Sequence, residues 1–213
     1  MRYLSLVPSF SNQLLWVGLV FAVSACASAP YFIHNVHTVV PGVVYRSAQL
    51  SPEKLSSLVE EKGVRTVLNL RGASPGEGWY DGEKAAATTA GIRHIDYELS
   101  SKREVPPRQA EELIRIMQEA PKPLLIHCWG GADRTGLASA LYLYALAEKP
   151  VEHASSALSW RYHHLSFTSA GAMDRSFDKF IEARVATARA EPAKAVEPAH
   201  GGPAGVETRT AAP

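Results

Sequence analysis

One ten-residue stretch combines a nucleophile with groups that bind an oxyanion: His127-Cys128-Trp129-Gly130-Gly131-Ala132-Asp133-Arg134-Thr135-Gly136. Cys128 supplies a thiol, and a thiolate is favoured beside a helix N-terminus or a cation. The fork of donors on Arg134 can hold two oxygens of one phosphate. The small residues between them let the backbone curl until its N–H groups form an anion nest. The stretch therefore predicts nucleophilic phosphoryl transfer through a cysteinyl-phosphate.

This chemistry needs a strand and a helix to position the loop. The apolar run 123–126 leads into the loop and predicts a buried strand, and the Ala- and Leu-rich pattern over 137–147 predicts a helix after it. Cys128 would then lie at the helix N-terminus, where free N–H groups and the helix dipole favour negative charge. We expect phosphate to be bound by the segment from Trp129 to Ala132, namely Trp129, Gly130, Gly131 and Ala132, together with Arg134.

The stretch resembles the signature loop of the cysteine-dependent protein tyrosine and dual-specificity phosphatases, in the pattern HCxxGxxRTG of an atypical bacterial member. Two further segments, VYRSAQ at 44–49 and TVLNLR at 66–71, are similar to the opening strands of bacterial, plant and fungal atypical members. The resemblance spans about residues 40 to 165. It implies Cys128 as nucleophile, Arg134 as phosphate ligand, His127 as a residue that orients the loop, and Thr135 as a hydroxyl that assists the departing thiolate. We expect no cofactor.

The general acid has three candidates. In the common family pattern an aspartate on a separate upstream loop protonates the leaving group, and Asp96 precedes Cys128 by a suitable distance, although it falls in a predicted strand. Asp133 lies inside the signature loop, and a loop reading Asp-Arg-Thr-Gly resembles bacterial phosphatases in which this aspartate is the proposed donor. Glu104 is the third candidate, and the remaining alternative is that no carboxylate acts as the general acid. We favour Asp133, with helix capping as its structural alternative and a surface ion pair as that of Asp96.

Three other functions are compatible with parts of the pattern. A phosphoinositide or lipid phosphatase of the same fold usually has a lysine before the loop aspartate, where this chain has Ala132. A sulfurtransferase of the rhodanese type also uses a loop cysteine, but it gives no reason for the Arg134-Thr135-Gly136 ending. An inactive lipoprotein adaptor that binds phosphate is the alternative from another functional class. The expected function remains a tyrosine or dual-specificity protein phosphatase.

Strand and helix patterns alternate along the domain. Predicted strands cover 43–47, 64–70, 92–97 and the run before Cys128, and predicted helices start at Pro52, near Tyr80, after Pro107, at Leu137 and at Val151, with a last short one after Met173. This alternation predicts a three-layer α/β fold, with a mostly parallel central sheet and helices on both faces. Ligands of such sheets bind at the carboxyl ends of the strands, where Cys128 falls.

The N-terminus has the features of a bacterial lipoprotein signal. An apolar run from Leu14 to Ala25 is shorter than the ~20 residues of a bilayer-spanning helix and is typical of a signal peptide. The sequence Val-Ser-Ala-Cys ending at Cys26 resembles a lipobox, which implies lipidation of Cys26. Ala27 after it implies an outer-membrane location facing the periplasm. An uncleaved anchor and an ordinary secretory signal are the alternatives.

The predicted organisation is a signal peptide (1–25), a tether (26–40), a phosphatase domain (41–185) and a disordered Ala/Pro-rich tail (186–213). A formal net charge of +1 and a pI near 7.8 give no basic footprint for nucleic acid. The histidines at 34, 37, 163 and 164 lack further ligands at metal-binding spacing, so we expect no metal. The expected partners are a phosphorylated protein, lipid or small molecule and, through the lipid, a membrane.

Overall fold

A computed structural model describes residues 34–190 of the chain. The predicted signal peptide, the lipidation residue Cys26 and the part of the predicted tail after residue 190 lie outside the described residues. Within residues 34–190, no helix is both long and apolar enough to cross a bilayer.

Among residues 34–190, five strands of four residues each form one sheet: β1 (His37–Val40), β2 (Val44–Ser47), β3 (Thr66–Asn69), β4 (Arg93–Asp96) and β5 (Leu124–His127). Their order is β1-β2-β5-β3-β4. Strands β2 to β5 run parallel, and β1 pairs antiparallel with β2 at the edge. Because β5 lies between β2 and β3, its carboxyl end is flanked by the ends of two parallel strands.

In the described part of the chain, six helices connect and cover the strands: α1 (Pro52–Lys62), α2 (Gly78–Thr89), α3 (Pro107–Glu119), α4 (Asp133–Ala145), α5 (Val151–Ser155) and α6 (Ala172–Ala190). Two 3₁₀ turns, Trp160–Tyr162 and Ser169–Gly171, lie between α5 and α6. Helix α1 has the predicted ends: the Ser51 hydroxyl accepts from the Lys54 N–H at 3.2 Å, and Gly63 takes φ +64° as the left-handed residue after the last turn.

Side chains along the central strands alternate between two cores. Leu124 and Ile126 pack into the larger core, and Leu125 packs with Val67 into the smaller one on the opposite face. Helices α1 and α2 cover the smaller core, and α3 to α6 cover the larger one. Strands that are apolar on both faces are typical of a parallel sheet enclosed by helices. The predicted three-layer α/β fold is confirmed.

The structure differs from the predicted elements in three places. Strand β1 was not predicted, and it occupies the last four residues of the predicted tether. The helix predicted over 151–163 ends at Ser155, and a 3₁₀ turn follows. Helix α6 continues to Ala190, five residues into the segment predicted to be a disordered tail.

Candidate active site

The loop between β5 and α4 lines a cavity of about 480 Å³. Strand β5 ends at His127 and α4 begins at Asp133, so residues 128–132 form the connecting loop, as the sequence predicts. The cavity is lined by loop and helix residues predicted for the site and by three neighbours: Cys128, Trp129, Gly130, Ala132, Asp133 and Arg134, with Ala48, Ser101 and His163. Cys128 lies at the base of this cavity and is 3% exposed.

Arg46 of β2 holds the loop from beneath. Its Nη2 donates to the carbonyl oxygens of Gly131 at 2.8 Å and Ala132 at 3.3 Å, and its Nη1 donates to Ala157 O at 2.9 Å. The Tyr162 ring covers the guanidinium, with 3.9 Å between its centroid and Cζ. Burial lowers the pKa of Arg46 to about 10, so the group remains charged at neutral pH. A buried cation is thereby bonded to backbone carbonyls of the loop.

The two preceding carbonyls of the loop are anchored from other segments. Asn35 Nδ2 donates to Gly130 O at 3.0 Å and to Tyr162 O at 3.1 Å, and the Gln49 N–H donates to Trp129 O at 3.1 Å. Four successive carbonyls, those of residues 129–132, are therefore fixed from outside the cavity. Because each peptide N–H points opposite to the preceding C=O, the N–H groups of residues 130–133 are turned toward the cavity and form an anion nest.

Gly131 allows the loop to pass close to β2. Its φ is +68°, and a Cβ built there would lie 2.6 Å from Ala48 N and 2.6 Å from Ser47 C. A side chain at this position would meet backbone atoms, which cannot move aside as a flexible side chain does. The third position after the cysteine thus requires glycine for both conformation and space.

Arg134 reaches across the cavity to two neighbouring backbones. Its Nη1 donates to Leu70 O at 3.2 Å and to Leu99 O at 3.3 Å. Its buried Nε has no hydrogen-bond partner among residues 34–190. The guanidinium is therefore positioned at the cavity with donor capacity left for a ligand.

Behind Cys128, a buried carboxylate joins two histidines. Glu83 Oε1 lies 3.1 Å from His127 Nε2 and 2.8 Å from His94 Nε2. Burial opposes ionisation of Glu83, but hydrogen bonds from His127 and His94 outweigh it and lower the pKa of Glu83 to about 2. Glu83 on α2 thus fixes the ring of His127 next to the cysteine, in line with the orienting role expected for that histidine.

The same carboxylate connects to a cation near the cavity. Gln49 Nε2 donates to Glu83 Oε2, and Gln49 Oε1 accepts from Arg71 Nη1 at 2.8 Å. The Arg71 guanidinium stacks on Trp79, with 3.3 Å between Cζ and the ring centroid. Burial and the positive charge of Arg134 lower the pKa of Arg71. Arg71 therefore adds positive potential to that of Arg134.

Asp133 lines the cavity, and its carboxylate is held by a histidine. Asp133 Oδ1 lies 2.8 Å from His164 Nδ1, and His164 Nε2 lies 2.8 Å from Asp174 Oδ2 of α6. The residue before α4 is Ala132, and no side chain caps this helix. The capping alternative for Asp133 does not match this geometry, and the contact with His164 was not predicted.

Asp96 and Glu104 do not line the cavity that holds Cys128. Asp96 ends β4 and accepts from Asn69 Nδ2 at 2.9 Å and from the Tyr80 hydroxyl at 2.7 Å. The hydrogen bond to Asp96 raises the pKa of Tyr80 to about 12. Glu104 pairs with Arg175 and Lys179 of α6, at 2.6 and 2.5 Å. Of the three candidate acids, Asp133 is the one at the cavity.

Two further predicted residues occupy distinct environments. Thr135 is fully buried in the first turn of α4, and its Oγ1 has no hydrogen-bond partner within the described part of the chain. Trp129 is 73% exposed and lines the cavity, so it forms part of the rim and does not pack under the loop. Across residues 34–190 no group of three or more His, Cys, Asp or Glu side chains is arranged to hold a metal ion.

Asn35, Glu83 and His164 contact the site but were not predicted. None of them has a fixed spacing from Cys128 that would mark it in the sequence. The sequence marks His164 only as a candidate metal ligand, and it marks Arg46 as a family position without indicating its place beneath the loop.

Solved structures of phosphatases share this fold at low sequence identity. TpbA from P. aeruginosa is 22% identical, with 71% of this chain and 91% of that one covered and a TM-score of 0.55. The core catalytic domain of SIW14 from S. cerevisiae, a PP-IP phosphatase, is 22% identical, with 73% and 93% covered and a TM-score of 0.54. PTPMT1 is 14% identical, with 73% and 99% covered and a TM-score of 0.56.

Comparison with family models gives a more direct assignment. Residues 34–192 match PTP-SAK, described as the Swiss Army Knife protein, DSP-PTPase phosphatase domain. No curated protein matches the chain significantly. The family match covers most of the 213 residues and includes the loop that carries the cysteine. The chain therefore belongs to the PTP-SAK family of DSP-PTPase phosphatase domains and is a cysteine-dependent phosphatase.

Proposed function

We propose that Cys128 is the nucleophile and Arg134 the phosphate ligand in the hydrolysis of phosphomonoesters. The observation that carries this proposal is the anchoring of the four carbonyls of residues 129–132 away from the cavity. The N–H groups that follow these carbonyls are then left for the oxygens of a phosphoryl group bound at Cys128. Donors held in place before the reaction stabilise the charge of the transition state.

The reaction has two steps. Cys128 Sγ attacks phosphorus, the bond to the leaving oxygen breaks, and Asp133 donates a proton to that oxygen. A water molecule then attacks the cysteinyl-phosphate, the S–P bond breaks, and Asp133 takes the proton of the water. Thr135, buried close by in α4, stabilises the departing thiolate. His127, held by Glu83, keeps the start of the loop in position.

Three variants test these roles on aryl phosphates. Cys128→Ser is expected to abolish turnover of p-nitrophenyl phosphate. Asp133→Asn is expected to slow the hydrolysis of phenyl phosphate about 100-fold or more, because the leaving group of this substrate needs a proton. The hydrolysis of p-nitrophenyl phosphate should be slowed less. Asp96→Asn is the matched carboxylate control, because it lies off the cavity. If Asp96→Asn and not Asp133→Asn lost activity selectively on phenyl phosphate, Asp133 would be rejected as the general acid.

We infer that the enzyme is a tyrosine or dual-specificity protein phosphatase, whose substrates include phosphotyrosine in proteins. Trp129 supports this inference because its exposed ring at the rim can pack against the aryl group. A variant of the structural neighbour TpbA has been solved in complex with pTyr. We expect Trp129→Ala to raise the KM for a phosphotyrosine peptide. The KM for a phosphoserine peptide should change less. Equal changes for both peptides would remove Trp129 as a determinant of aryl preference.

Turnover assays with phosphorylated substrates also test two alternative functions. A phosphoinositide phosphatase has support from Arg71, which adds positive charge near Arg134, whereas Ala132 adds none. Faster turnover of phosphoinositides than of phosphopeptides, lost in Cys128→Ser, would favour it. An inactive phosphate-binding adaptor would bind phosphate but turn over no substrate. Vanadate-sensitive hydrolysis by the wild-type protein would exclude it.

We also propose that Cys26 is lipidated and that the protein is anchored in the cell envelope, at the outer membrane facing the periplasm. His34 is eight positions after Cys26, and its carbonyl accepts from the Ala48 N–H beside the signature loop. Eight residues span at most about 28 Å, so such an anchor would keep the cavity near the membrane surface. Incorporation of labelled palmitate that is lost in Cys26→Ser tests this proposal, and labelling retained in that variant would contradict it.

A further inference from the structure

We propose that His164 is a positioning residue that controls the orientation and the proton of Asp133, through a relay of Asp133, His164 and Asp174. This inference rests on the proposed role of Asp133 as general acid. His164 precedes α6 in the segment between the two 3₁₀ turns, whereas Asp133 opens α4 and Asp174 lies in the first turn of α6. The relay thus connects the cavity to a helix whose residues do not line it.

The contacts use both nitrogens of a buried ring. Nδ1 lies 2.8 Å from Asp133 Oδ1 and Nε2 lies 2.8 Å from Asp174 Oδ2, and the His164 side chain is 1% exposed. A neutral imidazole has one N–H and can donate to only one of these carboxylates, whereas an imidazolium donates to both. The charged ring therefore satisfies the two acceptors, and its orientation is fixed from both ends.

The surroundings favour that charged ring. Burial acts to lower the pKa of His164, but hydrogen bonds and charge from Asp133 on α4 and Asp174 on α6 outweigh it and raise this pKa above 6.5. These two carboxylates are the charged groups that act on the ring. The imidazolium form therefore persists to higher pH than it does in an ordinary histidine.

The relay moves one proton in each half-reaction. As the bond to the leaving oxygen breaks, the Nδ1 proton of His164 passes to Asp133, and Asp133 passes a proton to that oxygen. His164 becomes neutral and keeps its Nε2–H on Asp174. When water attacks the cysteinyl-phosphate, Asp133 takes the water proton and returns one to Nδ1. The sum of the two steps leaves the relay unchanged.

His164→Asn separates the two functions of the ring. An asparagine amide can occupy the place of Nδ1 and donate to Asp133, but it cannot release a proton at neutral pH. We expect kcat/KM for phenyl phosphate to fall at least about tenfold more than kcat/KM for p-nitrophenyl phosphate. We also expect the fall in activity at high pH, which reports deprotonation of His164, to disappear from the profile for phenyl phosphate.

Asp174→Asn is the second variant, and it changes a residue away from the cavity. It keeps an acceptor for Nε2–H but removes a negative charge, so the fall in activity at high pH should move to lower pH. If His164→Asn lowered kcat/KM equally for both substrates and left the pH profile unchanged, the role of His164 would be structural only. If Asp133→Asn loses activity selectively on phenyl phosphate and neither His164→Asn nor Asp174→Asn does, the relay is rejected but the role of Asp133 as general acid is retained. If Asp133→Asn is itself not selective, the proposed acid fails.

Discussion

The Nη2 atom of Arg46 lies 2.8 Å from the carbonyl oxygen of Gly131, a residue whose backbone passes so close to the end of β2 that a Cβ would lie 2.6 Å from Ser47 C. This contact places a buried cation beneath the signature loop, on the side away from the cavity. The carbonyl is drawn toward Arg46, so the next N–H is directed to the cavity. The phosphate site is therefore shaped by a residue that does not line it.

Replacing this guanidinium should loosen the loop. Arg46→Lys keeps the charge but offers a single donor atom in place of a fork that bonds three carbonyls. We expect the free energy of unfolding to fall by about 2–4 kcal/mol, because buried carbonyls lose their partners. We also expect the inhibition constant of inorganic phosphate to rise. Urea denaturation and inhibition assays check both, and Arg65→Lys on the exposed surface should change neither.

The close approach at Gly131 gives a second prediction. Gly131→Ala places a Cβ 2.6 Å from backbone atoms and imposes a left-handed conformation on alanine. The loop must shift, and we expect kcat/KM for p-nitrophenyl phosphate to fall by about 100-fold, which equals about 2.7 kcal/mol. Stability should fall by at least about 1 kcal/mol from the conformational strain alone.

The neighbouring glycine is a matched control for that substitution. A Cβ at Gly130 meets no atom within 4 Å, and its φ lies outside the left-handed region. Gly130→Ala should therefore have a much smaller effect on kcat/KM and on the melting temperature. Comparable losses in both variants would show that the loop needs chain flexibility and not space at residue 131.

The sequence was sufficient for the elements with strong local signals. The run from Leu124 to Ile126, the loop and the following helix were predicted because apolar strand, small residues and helix formers succeed one another. Strand β1 was missed because none of the four residues of this short edge strand is fully buried, so it has no alternation of buried and exposed residues to detect. The extension of α6 to Ala190 was missed because its last residues are exposed, and alanine and arginine favour helix without an apolar stripe.

The candidate site was predictable only where its residues are contiguous. Cys128, Asp133 and Arg134 lie at the cavity, as the loop pattern indicates. Asn35, Glu83 and His164 reach the site from three separate segments of the chain. Their contacts depend on sheet order and helix packing, which spacing in the sequence does not encode. The contact of Asp133 with His164 is the clearest example, because the two residues are 31 positions apart and no motif joins them.

The carboxylate of Glu83 leads to a prediction about acid stability. Its pKa is about 2 in the folded protein against 4.5 ordinarily, so its stabilising contribution is present above pH 4.5 and is lost as the pH falls through 2. Glu83→Gln places an amide where Gln49 and two histidines need acceptors. We expect it to lower the free energy of unfolding at pH 7 by about 2–3 kcal/mol.

The difference between wild type and Glu83→Gln should become smaller between pH 4.5 and pH 2. Urea denaturation at several pH values measures it, and Glu60→Gln on the exposed part of α1 serves as control. A difference that stays constant over this range would mean that Glu83 is not the ionised centre of the histidine cluster.

Asp96 is hydrogen-bonded to Tyr80 and Asn69, away from the cavity. Tyr80 donates to Asp96 Oδ2 at 2.7 Å, and Asn69 donates to Oδ1 at 2.9 Å. Tyr80→Phe removes a hydrogen bond to a charged acceptor and should cost about 1.5–3 kcal/mol of unfolding free energy. Asp96→Asn turns an amide toward Asn69 or Tyr80 and should cost a similar amount. Because the two residues share one interaction, the double variant should lose less than the sum of the single losses, by about 1 kcal/mol or more. A double-mutant cycle in urea measures this coupling, and strictly additive losses would contradict a structural role for the pair.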